Sequence, residues 1–202
     1  AFSLAELLVV VVVIIGLMGI SLPALSNAKR QAQRIQCLNR LRAWGLATQS
    51  FAIDHDGYLP PDGAPNGRSR QHGWYVDLPR EINAPEYHVS AWRTNALAPL
   101  GVSVWHCPAN PRRSNGANLF HYVLNRHING VGAGARVQID NLQRPRELIW
   151  LLENGGQAAG ARWNNVAQRL HPGGANLSFL GGHVDTDRVR ARPSGHWIPG
   201  NP

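Results

Sequence analysis

The sequence predicts an α+β fold: one long N-terminal α-helix over about residues 2–53 carrying a small head built on an antiparallel β-sheet. Three observations predict it. Residues 7–26 carry no charge, and residues 7–15 are an unbroken run of Leu, Val and Ile. Beyond Pro23, the residues Cys37, Leu41, Trp44, Thr48 and Phe51 step by four and three, the period of a helix with one covered face. The remainder is rich in turn formers, with 21 Gly and 14 Pro in the whole chain, and its apolar runs are short.

The chain divides accordingly into three parts: a hydrophobic helix at 1–27, its amphipathic continuation at 28–53, and a head at 54–202. Twenty helical residues rise about 30 Å, the thickness of a bilayer core. A cleaved signal peptide would carry basic residues before its apolar run; here the first positive charges, Lys29 and Arg30, come after it. The segment therefore reads as a retained membrane helix. Glu6 is its oddity, because a carboxylate in such a flank is costly without a partner and marks a functional site. A free α-amino group at a chain terminus, its own or a neighbour's, is the obvious partner.

The stretch Phe2-Ser3-Leu4-Ala5-Glu6-Leu7-Leu8-Val9-Val10 resembles the mature start of type IV pilins and of type II secretion pseudopilins. In that family a prepilin peptidase cuts before a Phe, the new terminus is N-methylated, and a Glu follows four residues on, the spacing of Phe2 and Glu6. A Gly usually precedes the cut, where this sequence has Ala1. Either Ala1 is an unusual last leader residue, or the mature chain begins at Ala1 with Glu6 one place further along. Pro23 falls where many pilins carry a kinking proline, and Gly16 and Gly19 add weak points to the helix. The resemblance implies a homo-oligomeric helical filament. The apolar helices leave lipid to pack together, and Glu6 sets their register. It also implies a prepilin peptidase, an assembly ATPase and an inner-membrane platform protein as partners. The subunit would wait in the cytoplasmic membrane and end in a surface filament or, as a pseudopilin, in a short periplasmic one.

A narrower likeness follows. CLNRLRAWGLATQSFAIDHDGYLP, Val104-Trp105-His106-Cys107-Pro108-Ala109 and His121-Tyr122-Val123-Leu124-Asn125 resemble segments of a pilin-like family abundant in planctomycete and verrucomicrobial genomes. That family is marked by a C-terminal His, nine residues, then Asp-Gly. His171 and Gly182 keep the spacing, with Asn176 and His183 in the same stretch, but Gly181 replaces the Asp. Any role of that Asp is lost here or moved to Asp185 or Asp187.

About 150 residues beyond the helix suffice for one modest domain. The formal charge is +8, and of 20 basic residues only Lys29 is a lysine. Such a balance attracts nucleic acid or acidic polysaccharide, with Arg68, Arg70, Arg80, Arg112 and Arg113 as candidates, but arginine equally serves subunit interfaces. Arg30, Arg34, Arg40 and Arg42 lie off the covered helix face, toward solvent or neighbours. Cys37 and Cys107 form an even pair in a disulfide-permissive setting; a bridge would staple the head to the middle of the helix. They are too few for a zinc site of the CxxC kind.

Within the head, the helix should stop at Asp54-His55-Asp56-Gly57. Residues 61–91 read as a long loop or several short strands. Trp92, Leu97 and Leu100 suggest a short helix, and 102–106 a strand delivering Cys107. Residues 119–124 have strand composition, 128–135 form a Gly-rich loop, and 146–152 is the most apolar run, a central strand. Residues 175–180 and 183–187 make a hairpin across Gly181-Gly182, whose two glycines suit a tight primed turn. The tail, 192–202, is irregular, with Trp197 and Ile198 as pins. About four strands are expected in all. No HExxH, GxSxG or phosphate-loop pattern occurs, so no catalytic or cofactor residues are assigned and the chain reads as a non-enzyme. Of the nine histidines, those beside turns fit roles as partners of backbone carbonyls. Asp54-x-Asp56-Gly57 resembles part of a calcium loop without its later acidic ligand. Calcium there, or near Asp185 and Asp187, and a transition metal among His106, His121, His171 and His183 are the bound ions the sequence leaves open.

Overall fold

The computed structural model describes residues 3–63, 67–128 and 136–187. Ala1, Phe2, most of the 128–135 loop, and the tail with Trp197 and Ile198 lie outside them. Helix α1 runs unbroken over Leu4–Asp54, 51 residues or about 77 Å at the standard rise. Its N-terminus is closed by a Ser-x-x-Glu capping box. The Ser3 hydroxyl accepts from the Glu6 N–H at 3.3 Å, and the Ser3 N–H donates to the Glu6 carboxylate at 2.8 Å. At the other end Gly57, at φ +77°, donates to the Ala52 carbonyl and ends the helix.

The predicted helix face is the spine of the head: Cys37, Leu41, Trp44, Thr48 and Phe51 are all buried. Against it lies a five-stranded sheet in the order β3-β1-β2-β4-β5, comprising β1 Tyr122–Asn125, β2 Ile149–Glu153, β3 Gly160–Ala161, β4 Ala175–Phe179 and β5 Val184–Asp187. β2 is central, as its apolar run requires, and buried along its whole length. The sheet is mixed, not antiparallel as expected, and has one strand more. β1–β2, β2–β4 and β4–β5 are antiparallel, but β3 pairs parallel with β1. The cause is geometric. β2 ends level with the start of β1, Glu153 opposite Tyr122, so a chain that crosses β1 to its free edge must run in the direction of β1.

Other expectations change. Inside 61–91 lies a helix, α2 Trp74–Glu81, which buries Trp74, Tyr75 and Leu78 against α1 and is opened by Asp77 accepting from the Gly73 N–H. The 92–100 helix is only a 3₁₀ turn at Ala91–Arg93. Leu97 is 93% exposed, its N–H taken by the Asn95 side chain. Residues 102–106 form no strand: a Ser103-centred turn holds Trp105 and His106 in place, and Val102 is 98% exposed. Arg34 and Arg40 do not point away from the head. Arg34 donates to Thr186 at 2.8 Å, and Arg40 donates to the His106 carbonyl.

The core is aromatic. Trp44, Trp74 and Trp105 meet with ring centroids 4.6–6.0 Å apart. The indole N–H groups of the four most deeply buried tryptophans have partners: Val104 O for Trp44, Ala159 O for Trp74, Pro85 O for Trp105 and the Thr48 hydroxyl for Trp150. Thr48→Val keeps the volume but strands the Trp150 N–H. Chemical unfolding followed by tryptophan fluorescence is expected to show a loss of about 1–3 kcal/mol.

Candidate functional site

Two regions stand out, the uncovered part of α1 and a polar centre buried where α1 meets the sheet. From Leu4 to Leu25 every large apolar side chain is exposed, on all sides of the helix. This is the one helix among the described residues long and apolar enough to cross a membrane, a property that signal sequences also share. None of its apolar window is covered by the head. A Cβ added at Gly16 or Gly19 would meet nothing within 4 Å, and Pro23 removes the N–H that would bond the Gly19 carbonyl. The Ser21 and Ser26 hydroxyls bond the carbonyls of Leu17 and Pro23, both at 2.8 Å. Glu6 already has a partner in the Ser3 N–H, a pairing written in the Ser-x-x-Glu spacing that sequence reasoning passed over.

The buried centre joins four elements. Cys37 of α1 and Cys107 meet at disulfide distance with Cα atoms 5.2 Å apart, closing a sequence separation of 70. His171 Nε2 lies 3.4 Å from Cys107 Sγ and 2.8 Å from Glu153 Oε1. Glu153, the last residue of β2, is fully buried. Its Oε2 accepts from the Asn176 N–H at 2.9 Å, and its Oε1 also accepts from the Asn176 side-chain amide at 3.1 Å. The Asn176 Oδ1 in turn accepts from the Thr186 hydroxyl, which Arg34 also holds. His171 and Asn176, singled out by the family-like motif, thus converge on a residue the sequence reading missed. The only signal for Glu153 was a carboxylate at the end of an otherwise apolar run. Tyr122, opposite Glu153 in the sheet, has its hydroxyl pKa raised by burial first and by the Glu153 charge second.

The rest of that motif is structural. Gly182 takes φ +85° in the β4–β5 turn, and the His183 ring stacks on Phe179 at 4.2 Å. The turn closes over Phe179–Gly182 and is not the expected two-residue primed turn, since Gly181 keeps a negative φ. Gly181 is small for another reason: a Cβ there would meet the Arg146 carbonyl oxygen at 2.9 Å. An Asp at this place would push against backbone. Asp185 bonds its neighbour's N–H. Asp54 and Asp56 sit at a turn closed by backbone bonds and join no cluster of ligand atoms; among the described residues the one such cluster is Cys37, Cys107, Glu153 and His171.

The five candidate arginines are dispersed. Arg68 and Arg70 line a 300 Å³ cavity with His88 and Arg93, and Arg80 borders an adjoining one of 170 Å³. Arg113 lines a separate 840 Å³ groove between α1 and residues 100–113, while Arg112 donates to the Asn154 carbonyl and has its pKa lowered by burial. His121 and His106 are buried near the staple. The His121 Nδ1 accepts from the Cys107 N–H, and its Nε2–H donates to the Arg112 carbonyl. Burial chiefly, with the neighbouring cationic groups, pushes His106 down to about 3 and His121 to about 4. No protein-family model, curated protein or solved structure matches this chain.

Both rings stay neutral in the folded head but take up a proton when unfolded below about pH 6.5. The unfolded state then binds more protons, so stability is full above pH 6.5 and falls toward pH 4. The loss is up to about 1.4 kcal/mol per pH unit for each ring. Urea unfolding across that window checks it, with His121→Gln expected to flatten the slope. Cys37→Ser is expected to cost about 4 kcal/mol from loop closure alone, read by the same measurement.

Proposed function

We propose that this chain is a non-enzymatic structural subunit of a type IV pilin-like surface filament, polymerising through its N-terminal helix. The observation that carries this reading is a single helix with two kinds of surface. One face of its residues 37–52 is the buried spine of a head, and the same rigid rod projects an apolar shaft that the head leaves wholly uncovered. Such a shaft is satisfied by lipid or by copies of itself. Exposed Ile35, Leu46 and Ile53 extend an apolar stripe up the stalk, on the side away from the head core. In this reading the subunit rests in the cytoplasmic membrane, is processed near Ala1 and Phe2 by a prepilin peptidase, and is lifted by an assembly ATPase and platform protein into an extracellular filament. Glu6 exchanges its Ser3 cap for a neighbour's terminal amine and fixes the axial step. Gly16, Gly19 and Pro23 give the shaft a place to unwind as it packs. The type II secretion pseudopilus is the same assembly stopped short.

A second reading, a membrane-anchored module for acidic glycan or nucleic acid, is favoured by the cavity that Arg68, Arg70 and Arg93 share. It requires binding of heparin or DNA to the detergent-solubilised chain that falls steeply with salt; salt-insensitive or absent binding removes it.

Filament assembly is tested by electron microscopy of cells expressing the full chain. The wild type is expected to give surface filaments whose cores hold bundled helices. Val12→Lys should abolish them while leaving the unfolding transition of the head unchanged. Glu6→Ala should reduce filament number severely; unchanged filaments in that variant would remove the register role.

A further inference from the structure

Cys37, Cys107, Glu153 and His171 bring one ligand atom each to within 4.8 Å of all the others, and all four residues are buried. Two sulfurs, one imidazole nitrogen and one carboxylate oxygen are the donor set of a four-coordinate soft divalent cation. The supports are rigid: Cys37 comes from α1, Glu153 from the end of the central strand, and His171 from a bridge that pairs with Gly174 just before β4. His171 turns its Nε2 to the cluster. The Glu153 carboxylate is oriented from outside by the backbone and side-chain N–H groups of Asn176, as a supporting residue orients a metal ligand. A route exists as well, because the 840 Å³ groove between α1 and residues 100–113 is lined by Cys107 itself.

We infer that, when its two cysteines are thiols, this centre binds one zinc-like cation through Cys37 Sγ, Cys107 Sγ, His171 Nε2 and a Glu153 carboxylate oxygen, and that the disulfide and the cation are alternative staples of helix to head. A dithiol supplies the two electrons: the Cys37–Cys107 bond breaks, two thiols form, and the dithiol leaves as its own disulfide. Metal entry then releases two thiol protons, and the Nε2 proton of His171 moves to Nδ1. In tetrahedral geometry the sulfurs stand about 3.8 Å apart, given metal–sulfur bonds of about 2.3 Å. The His171 Nε2 to Cys107 Sγ distance of 3.4 Å already lies near what such a site needs. Neutral His171 leaves the loaded centre with one net negative charge. Arg40, beside the Tyr122 hydroxyl, is the adjacent cation. The inference concerns the head alone and stands or falls independently of filament assembly.

The test uses the full chain in detergent, reduced with dithiothreitol and desalted without oxygen, with cobalt(II) as the probe. The reduced chain is expected to take up one equivalent, giving strong visible bands of tetrahedral cobalt and near-ultraviolet thiolate-to-cobalt absorption that zinc displaces. The oxidised chain should show neither. Cys107→Ser should lose about half or more of the thiolate absorption and Cys37→Ser/Cys107→Ser all of it, and Glu153→Gln and His171→Gln should each weaken binding by about tenfold or more. X-ray absorption of the zinc-loaded wild type, which needs no variant, should count two sulfur and two nitrogen or oxygen ligands. Three results would overturn the inference. One is the weak spectrum of hydrated cobalt over a folded, reduced head. Another is a head that unfolds on reduction and is not restored by cobalt. The third is tetrahedral binding that persists in the Glu153→Gln/His171→Gln double variant.

Discussion

The fold depends on one constraint: the spine of the head and the apolar shaft are the same helix. A core of this size needs a wide aromatic face to close on, and Trp44, with Leu41 above and Thr48 below, offers it to Trp74, Trp105 and Trp150. Gly45 lets β4 come close, since a Cβ there would already touch the Ser178 hydroxyl at 3.0 Å. Remove the helix and the sheet has one face with nothing to bury against. The shaft below cannot fold back to supply that face, because it is continuous helix, interrupted by no turn, and apolar on every side. The head is therefore built around an element whose other half it leaves uncovered.

The buried centre ties this arrangement together at one point. The Cys37–Cys107 link fixes the loop before β1 to the stalk. Glu153, held by His171 and Asn176, fixes the central strand to the two segments that follow it. Asn176 also reaches the Arg34 carbonyl at 3.4 Å, and Arg34 reaches back to Thr186. Charge, hydrogen bonding and a covalent link all concentrate within a few residues of one helical turn, around which the sheet takes its place.

Much of this was readable in the residues, and the exceptions have physical causes. The stripe from Cys37 to Phe51 declares itself through its period, and the 146–152 run through its length of apolar residues, because both elements bury enough side chains to leave a pattern. α2 hides because eight residues containing Pro79 give too short a period. β3 hides because two residues carry no pattern at all; its parallel pairing is dictated by where β2 ends. Glu153 was illegible for the opposite reason: a lone carboxylate after Leu151 and Leu152 reads as a strand reaching water, and only the return of His171 and Asn176 in space makes it interior. The Ser3–Glu6 cap was written plainly, but the cost of a charge beside a membrane helix drew attention from its helix-starting role.

The staple also sets how the molecule carries tension. A pull along the stalk from its N-terminal side meets the head at Gln33 and Arg34, through hydrogen bonds to the Pro108 carbonyl and Thr186, and one turn later at Cys37, through a covalent link. From there the covalent route leads directly to Cys107, skipping the 70-residue interval that contains the end of the helix, α2 and the loops around it. Traction on the stalk is thus delivered to the doorstep of the β-sheet, and the intervening segment is sheltered from stretching. Mechanical unravelling would have to start by breaking a sulfur–sulfur bond or by pulling the strands of the sheet apart.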